Sequence, residues 1–219
     1  MQIRSYMKRK KLTILYEDKY LIIINKPANL LMISKNDGTG ANLYSEVREY
    51  VKRQNPHNKI FIVHRLDRET RGLVIFAKSE KVKYALQSNW DKVIRKYYAI
   101  VVGNVKNKKA RLEHYLKESK SLQVYVSKTG KKAITDYEVI KASNKYSLLN
   151  IEIKTGRKNQ IRVQLSHINH PILGDSKYGK KYGNFLFLQA YYLSFEHPIT
   201  KKNIEIKLDI DNNFVKIMK

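Results

Sequence analysis

Short apolar runs, more than any other feature, constrain the fold of this chain. Segments 12–16, 20–25, 60–63, 72–77, 95–102 and 146–154 are rich in Val, Ile, Leu, Tyr and Phe, and polar turns separate them. Helical spacing shows in fewer places. Leu43, Val47, Tyr50 and Val51 recur on one face and stop at Asn55-Pro56. Segments Ser79–Trp90 and Arg157–Ile168 also read as helices, the second with Ile161, Leu165 and Ile168 on one side. Strand runs often follow one another directly, as 12–16 and 20–25 do across Glu17-Asp18-Lys19. That order argues against alternating strand–helix units and for an α+β fold with a mixed, largely antiparallel sheet. In the basic stretch 104–145 a hairpin is expected to join 121–126 to 131–140 across Lys128-Thr129-Gly130. Further strands fall near 185–195 and 203–208, and Phe214, Ile217 and Met218 of the tail are expected to pack back. Without a repeat or a low-complexity linker, residues 1–219 read as one domain with a flexible basic lead-in over 1–11.

One loop stands out chemically. His64-Arg65-Leu66-Asp67-Arg68-Glu69-Thr70-Arg71-Gly72 leads into the apolar run 72–77. Asp67 sits between Arg65 and Arg68, on a polar loop that feeds a rigid strand, a common position for a reacting group. The competing reading is that Asp67 only ties down its arginine neighbours.

Charge narrows the partner. The chain carries 44 Lys+Arg against 19 Asp+Glu, a formal +25, which points to a polyanion and first of all to nucleic acid. A polybasic membrane-surface protein is the lesser alternative, because no amphipathic basic helix or lipidation motif is evident. The apolar runs, such as Leu21 to Ile24, are far too short to span a bilayer. The basic start has no apolar signal core. The absence of cysteine excludes disulfides and thiolate zinc sites, and a cytoplasmic monomer is expected.

Two further segments carry candidates. In Thr155-Gly156-Arg157-Lys158-Asn159-Gln160-Ile161-Arg162, Gly156 ends a strand and Gln160 to Leu165 begin a helix. An arginine here is placed either to pair with a carboxylate and favour its charged form, or to contact phosphate. On the strand Arg95–Val102, Tyr97 and Tyr98 point to opposite faces, so one can stack on a base while the other enters the core. Gly38-Thr39-Gly40 lacks the Lys-Ser/Thr of a phosphate loop and reads as a turn. The histidines lack metal-ligand spacing, so no metal is expected.

The run HRLDRETRGLVIFAK, the segment TGRKNQIRVQL with HPILGD and Tyr178-Gly179 after it, and Arg95-Lys96-Tyr97-Tyr98-Ala99 together resemble the RluA-type pseudouridine synthases. The resemblance covers about 12–208. It implies a bent mixed sheet flanked by helices and loops, with a cleft across its middle. It also implies an enzyme that isomerises uridine in structured ribosomal or transfer RNA without a cofactor. By resemblance Asp67 is the catalytic carboxylate, Arg162 its ion-pair partner and Ile161 an apolar wall. Tyr97 packs against the uracil, and Arg65 fills the space of the flipped base. Many relatives carry a small RNA-binding module before the catalytic part; only eleven or so residues precede the first strand here, so it is expected to be absent. The chain departs from the usual pattern at Arg71, where Ser is common, and at Asn159, Gln164 and Gln189, where His is common. The rival from another class is an RNA-binding module without chemistry. It accounts for the charge but not for an intact set of Asp67, Tyr97 and Arg162.

Overall fold

The computed structural model describes residues 12–34, 42–179 and 185–219. The lead-in 1–11 and the Gly38-Thr39-Gly40 turn lie outside these residues. Strands β1 (Ile14–Glu17), β2 (Leu21–Lys26), β3 (Phe61–Ile62), β4 (Arg71–Ala77) and β5 (Ile94–Val102) come first. Then follow β6 (Lys109–Glu118), β7 (Val124–Ser127), β8 (Lys131–Ala142), β9 (Tyr146–Ile153), β10 (Leu188–Glu196) and β11 (Asn203–Lys207). Helices are α1 (Leu43–Gln54), α2 (Glu80–Ser88), α3 (Gln160–His167) and α4 (Asn212–Ile217). The strands join in one sheet of order β1-β2-β4-β10-β5-β9-β8-β6-β7, with β3 on β4 and β11 on β10. Every pairing is antiparallel except β4 with β10, so the sheet is mixed and mostly antiparallel, as the strand-rich pattern implies.

Period-two alternation divides the core. Ile22, Ile24, Val74 and Phe76 face α1 residues Leu43, Val47 and Val51. Their neighbours Leu21, Ile23, Leu73 and Ile75 face α2 residues Val82 and Leu86 on the other side. Both faces of this part of the sheet are covered, which is why β2 and β4 read as continuous apolar runs. Each fully buried Leu, Ile or Phe contributes about 1.5–3 kcal/mol. Both helices start at side-chain caps: Asn42 accepts from the Ser45 N–H at 2.9 Å and Ser79 from the Val82 N–H at 3.3 Å.

The parallel seam is short and close. Arg71 lies opposite Gln189 and Gly72 opposite Ala190. A Cβ on Gly72, at φ +115, would stand 2.0 Å from the Ala190 carbonyl oxygen. Only glycine lets β4 begin there, directly after the Asp67 loop.

The expected hairpin between 121–126 and 131–140 is not formed. Strands β7 and β8 flank β6 on its two edges, so each pairs with β6 and neither with the other. The chain crosses over β6 at Leu116, which pairs with Val126 on one edge and Lys131 on the other. Gly130 makes the crossing possible, since a Cβ there would meet the Leu116 carbonyl oxygen at 2.5 Å. At the tail, Phe214 and Met218 pack into the core, whereas Ile217 stays exposed because it falls on the outer side of α4.

Candidate active site

The Asp67 loop is tied down from below by a buried lysine. Lys26 is fully enclosed, and its ammonium donates to the carbonyls of Pro27 at 3.0 Å, Leu30 at 2.9 Å and Arg68 at 3.0 Å. Burial pulls it down to about 8, so it remains a cation at neutral pH with three acceptors around it. The loop closes on itself through the Thr70 N–H donating to the Asp67 carbonyl at 3.2 Å. At its start, His64 Nε2 accepts the Ile75 N–H at 3.1 Å, and its ring packs 4.7 Å from Trp90. Burial, reinforced by Arg95, pushes His64 down to about 3, which leaves the ring neutral and free to accept.

A cleft of about 480 Å³ opens above this loop. Arg65, Asp67, Tyr97, Ile161 and Arg162, which lie far apart in the chain, all line it. Arg162 Nη1 donates to Asp67 Oδ2 at 3.1 Å and approaches Glu69 at 3.4 Å. The guanidinium is itself fixed from behind: Nε and Nη2 donate to Asp175 Oδ2 and Oδ1, each at 2.8 Å. Burial alone would raise the Asp175 carboxyl and lower Arg162. Their pairing outweighs it in both, holding Asp175 below the usual carboxylate range and Arg162 above its ordinary value. Burial likewise pushes the Tyr97 hydroxyl up to about 12, so it stays protonated. Tyr97 is buried on the cleft side of β5, whereas half-buried Tyr98 stacks on Tyr191 at 3.7 Å on the other face. Arg65 is exposed at the mouth.

Helix α3 begins at Gln160, as the reading of Gln160 to Leu165 has it and three residues inside the wider span from Arg157, because Asn159 has left-handed backbone angles (φ 51, ψ 23) that a helix cannot continue. This turn aims the Asn159 amide at the loop, where Nδ2 donates to Asp67 Oδ2 at 2.6 Å. Asn159, read from sequence only as a departure, thus touches the carboxylate directly. Its place in the same motif as Arg162 was the available signal. Asp175, the last residue of HPILGD, had no role readable from sequence, and Lys26, in the early segment Asn25-Lys26-Pro27, had only a structural one.

The other departures are internal. Gln164 is fully buried; its Oε1 accepts from the Thr135 hydroxyl at 2.6 Å, and Nε2 donates to the Leu112 and Ala133 carbonyls. Gln189 accepts the Asp211 N–H at 3.0 Å and donates to the Asp209 carbonyl at 2.9 Å. Arg71 pairs with Asp211 and lies 4.6 Å over the Phe185 ring. These residues fasten secondary structure and are not among those that line the cleft. Among the described residues, no group of three or more metal-binding side chains occurs and no helix is long and apolar enough to cross a membrane.

The chain has known relatives. Residues 20–167 match the family described as RNA pseudouridylate synthase. Ribosomal large subunit pseudouridine synthase C of Buchnera aphidicola (subsp. Baizongia pistaciae, strain Bp) is 37% identical, over 94% of this chain and 69% of its own. The tRNA pseudouridine synthase C of Haemophilus influenzae is 32% identical, over 94% of this chain and 96% of its own. The solved structure of human RNA pseudouridylate synthase domain containing 4 shares the fold, with a TM-score of 0.78 over 93% of this chain and 90% of that one, at 23% identity. The chain belongs to the RNA pseudouridylate synthase family and is an RNA uridine isomerase.

Proposed function

We propose that this protein converts specific uridines of structured ribosomal or transfer RNA to pseudouridine, with Asp67 as the reacting group. The observation that carries this reading is the Asp67–Arg162 ion pair, 3.1 Å long, inside a cleft that Tyr97, Ile161 and Arg65 also line. Relatives named for both RNA classes support the substrate class.

The reaction breaks the bond from N1 of uracil to C1′ of ribose, rotates the base and joins C5 to C1′. C5 gives up its proton and N1 gains one. Reactant and product are isomers, so the chemistry calls for no redox partner or energy source. The target must first leave its stack, at a cost of about a few kcal/mol. Arg65, exposed at the mouth, fills the vacated space. The uracil packs between the Tyr97 ring and Ile161. Asp67 then acts as nucleophile on the sugar or the base, or as base on the ribose at C2′; only the last route gives a primary isotope effect with deuterium at C2′. Arg162 orients the carboxylate, and its bidentate hold on Asp175 keeps it from following the substrate. The reading includes action as a monomer, checked by sedimentation. The reading places the protein in the cytoplasm as one catalytic domain.

Two experiments test it. Mapping pseudouridine in cellular RNA with and without the gene should show discrete uridines that lose the modification. Complementation with Asp67→Asn, which keeps shape but removes the reacting charge, should leave those positions unmodified while RNA binding stays within a few-fold of the parent. Restored pseudouridine in that strain would overturn the role of Asp67.

A further inference from the structure

We infer that Asn159 is a positioning residue that leaves Asp67 Oδ1 as the oxygen offered to the substrate; the inference rests on the role proposed above for Asp67. Two donors converge on the same carboxylate oxygen. Asn159 Nδ2 reaches Oδ2 at 2.6 Å and Arg162 Nη1 reaches it at 3.1 Å. Among the described residues no hydrogen bond reaches Oδ1. A carboxylate bound on one oxygen by two donors cannot rotate without breaking both, and its other oxygen keeps the lone pairs needed to attack or to accept a proton.

The amide is itself held in one orientation. Its Oδ1 accepts from the Tyr178 hydroxyl at 3.0 Å and from Lys177 Nζ at 3.3 Å. A flipped amide would turn its NH₂ toward the Lys177 ammonium and its oxygen toward the Asp67 carboxylate, which loses both contacts. Behind them stands the strand edge: the Val124 N–H donates to Tyr178 Oη at 3.1 Å, and Lys177 Nζ also donates to the Leu122 carbonyl at 3.0 Å. The left-handed backbone at Asn159 completes the device, because Asn accepts those angles more readily than most residues. Arg162 alone supplies charge to Asp67 from one direction; the amide adds a second direction, and two fix an orientation.

The test separates positioning from binding and from folding. The substrate probe is total RNA from a strain lacking the gene, labelled with 5-tritiated uridine, because joining C5 to C1′ releases that tritium to water. Asn159→Gly removes the amide and keeps the left-handed turn. We expect its single-turnover release to fall roughly ten- to hundredfold, the worth of a hydrogen bond to a charged group. Filter retention of the same RNA and the melting temperature should stay close to the parent. Asn159→His returns a donor and should recover most of the rate. Tyr178→Phe leaves Asn159 in place but frees its amide, and should give an intermediate loss. Unchanged release by Asn159→Gly would overturn the inference, as would a loss matched by equal losses of RNA retention, or no recovery by Asn159→His. Should the parent protein itself release no tritium, the proposed function falls and this inference with it.

Discussion

Asp175 grips Arg162 through two parallel hydrogen bonds of 2.8 Å, so the guanidinium that meets Asp67 is fixed before any substrate arrives. Asp175 is fully buried and also accepts the N–H groups of Lys177 and Tyr178, at 2.9 and 3.0 Å. Removing one partner of such a pair leaves the other charge buried and unmatched, at about 3–5 kcal/mol. Asp175→Ala should therefore lose that much stability in urea denaturation, and lose isomerisation as well. Asp175→Asn keeps one acceptor and should lose less of both.

Stability should fall on acidification already in the range where histidines titrate. His64 is pushed down to about 3 by burial and by Arg95, whereas an unfolded histidine titrates at about 6.5. The unfolded chain thus takes up the proton first. The contribution of neutral His64 is complete above about 6.5 and is lost as pH falls toward 3. Burial and His167 also lower His114, with the same sign. Melting temperatures between pH 7.5 and 5 should drop for the parent and drop less for His64→Gln, whose amide oxygen can still accept the Ile75 N–H. An equal drop in both would show that His64 is not the group responsible.

The parts that sequence made legible are those where local chemistry and long-range structure coincide. Strands β2 and β4 read correctly because both their faces are buried and their apolar runs are nearly unbroken, and β5 and β9 because buried Tyr, Ile, Leu and Val recur along them between polar residues. The candidate site residues come from motif, and the ion pair between Asp67 and Arg162, 95 positions apart, is where two motifs meet. What stayed hidden depends on closure in space. The crossing at Leu116 follows from which edge of β6 each strand takes, and alternation along a strand does not record its edge. The buried ends of Lys26 and Asp175 look like ordinary charges on polar loops until three carbonyls and a guanidinium close around them. Asn159 looked like the loss of a histidine, although it supplies a donor to the carboxylate itself.

RNA affinity should depend steeply on salt. Exposed cations Arg65, Arg68, Arg157 and Lys158 line the cleft, and strands β6 and β8 carry more, among them Lys109, Lys117, Lys131 and Lys132. Several are paired with acids, Lys109 with Glu138 and Lys158 with Glu118, so they contribute less than their number suggests. Log affinity should fall linearly with log salt, by about 0.7 to 0.9 per phosphate neutralised. Arg157→Gln should lower that slope by about one contact without changing which uridines react. A flat response would mean that the basic excess lies elsewhere than on the RNA-binding surface.

Tyr97 and Tyr98 offer the sharpest contrast, because one peptide bond separates a cleft-lining ring from one on the opposite face of β5. Tyr97 lines the cleft with Asp67 and Arg162, while Tyr98 stacks on Tyr191 with ring planes 9° apart. Tyr97→Ala removes the surface on which a base would stack, worth roughly 1–3 kcal/mol per base, so turnover should fall strongly. Tyr97→Phe keeps the ring and isolates what the hydroxyl adds. Tyr98 is half-buried, so Tyr98→Ala should cost stability of roughly 1–3 kcal/mol, from the lost aromatic pair and the partly buried ring, with little effect on the chemical step. Tyr191→Ala removes the other half of the same stack, and the double variant should lose less than the sum of the two. Single-turnover rates and thermal melts on the same set of proteins decide the matter. A Tyr98 variant that folds normally but fails to isomerise would exchange the roles of the two rings and remove Tyr97 from the proposed site.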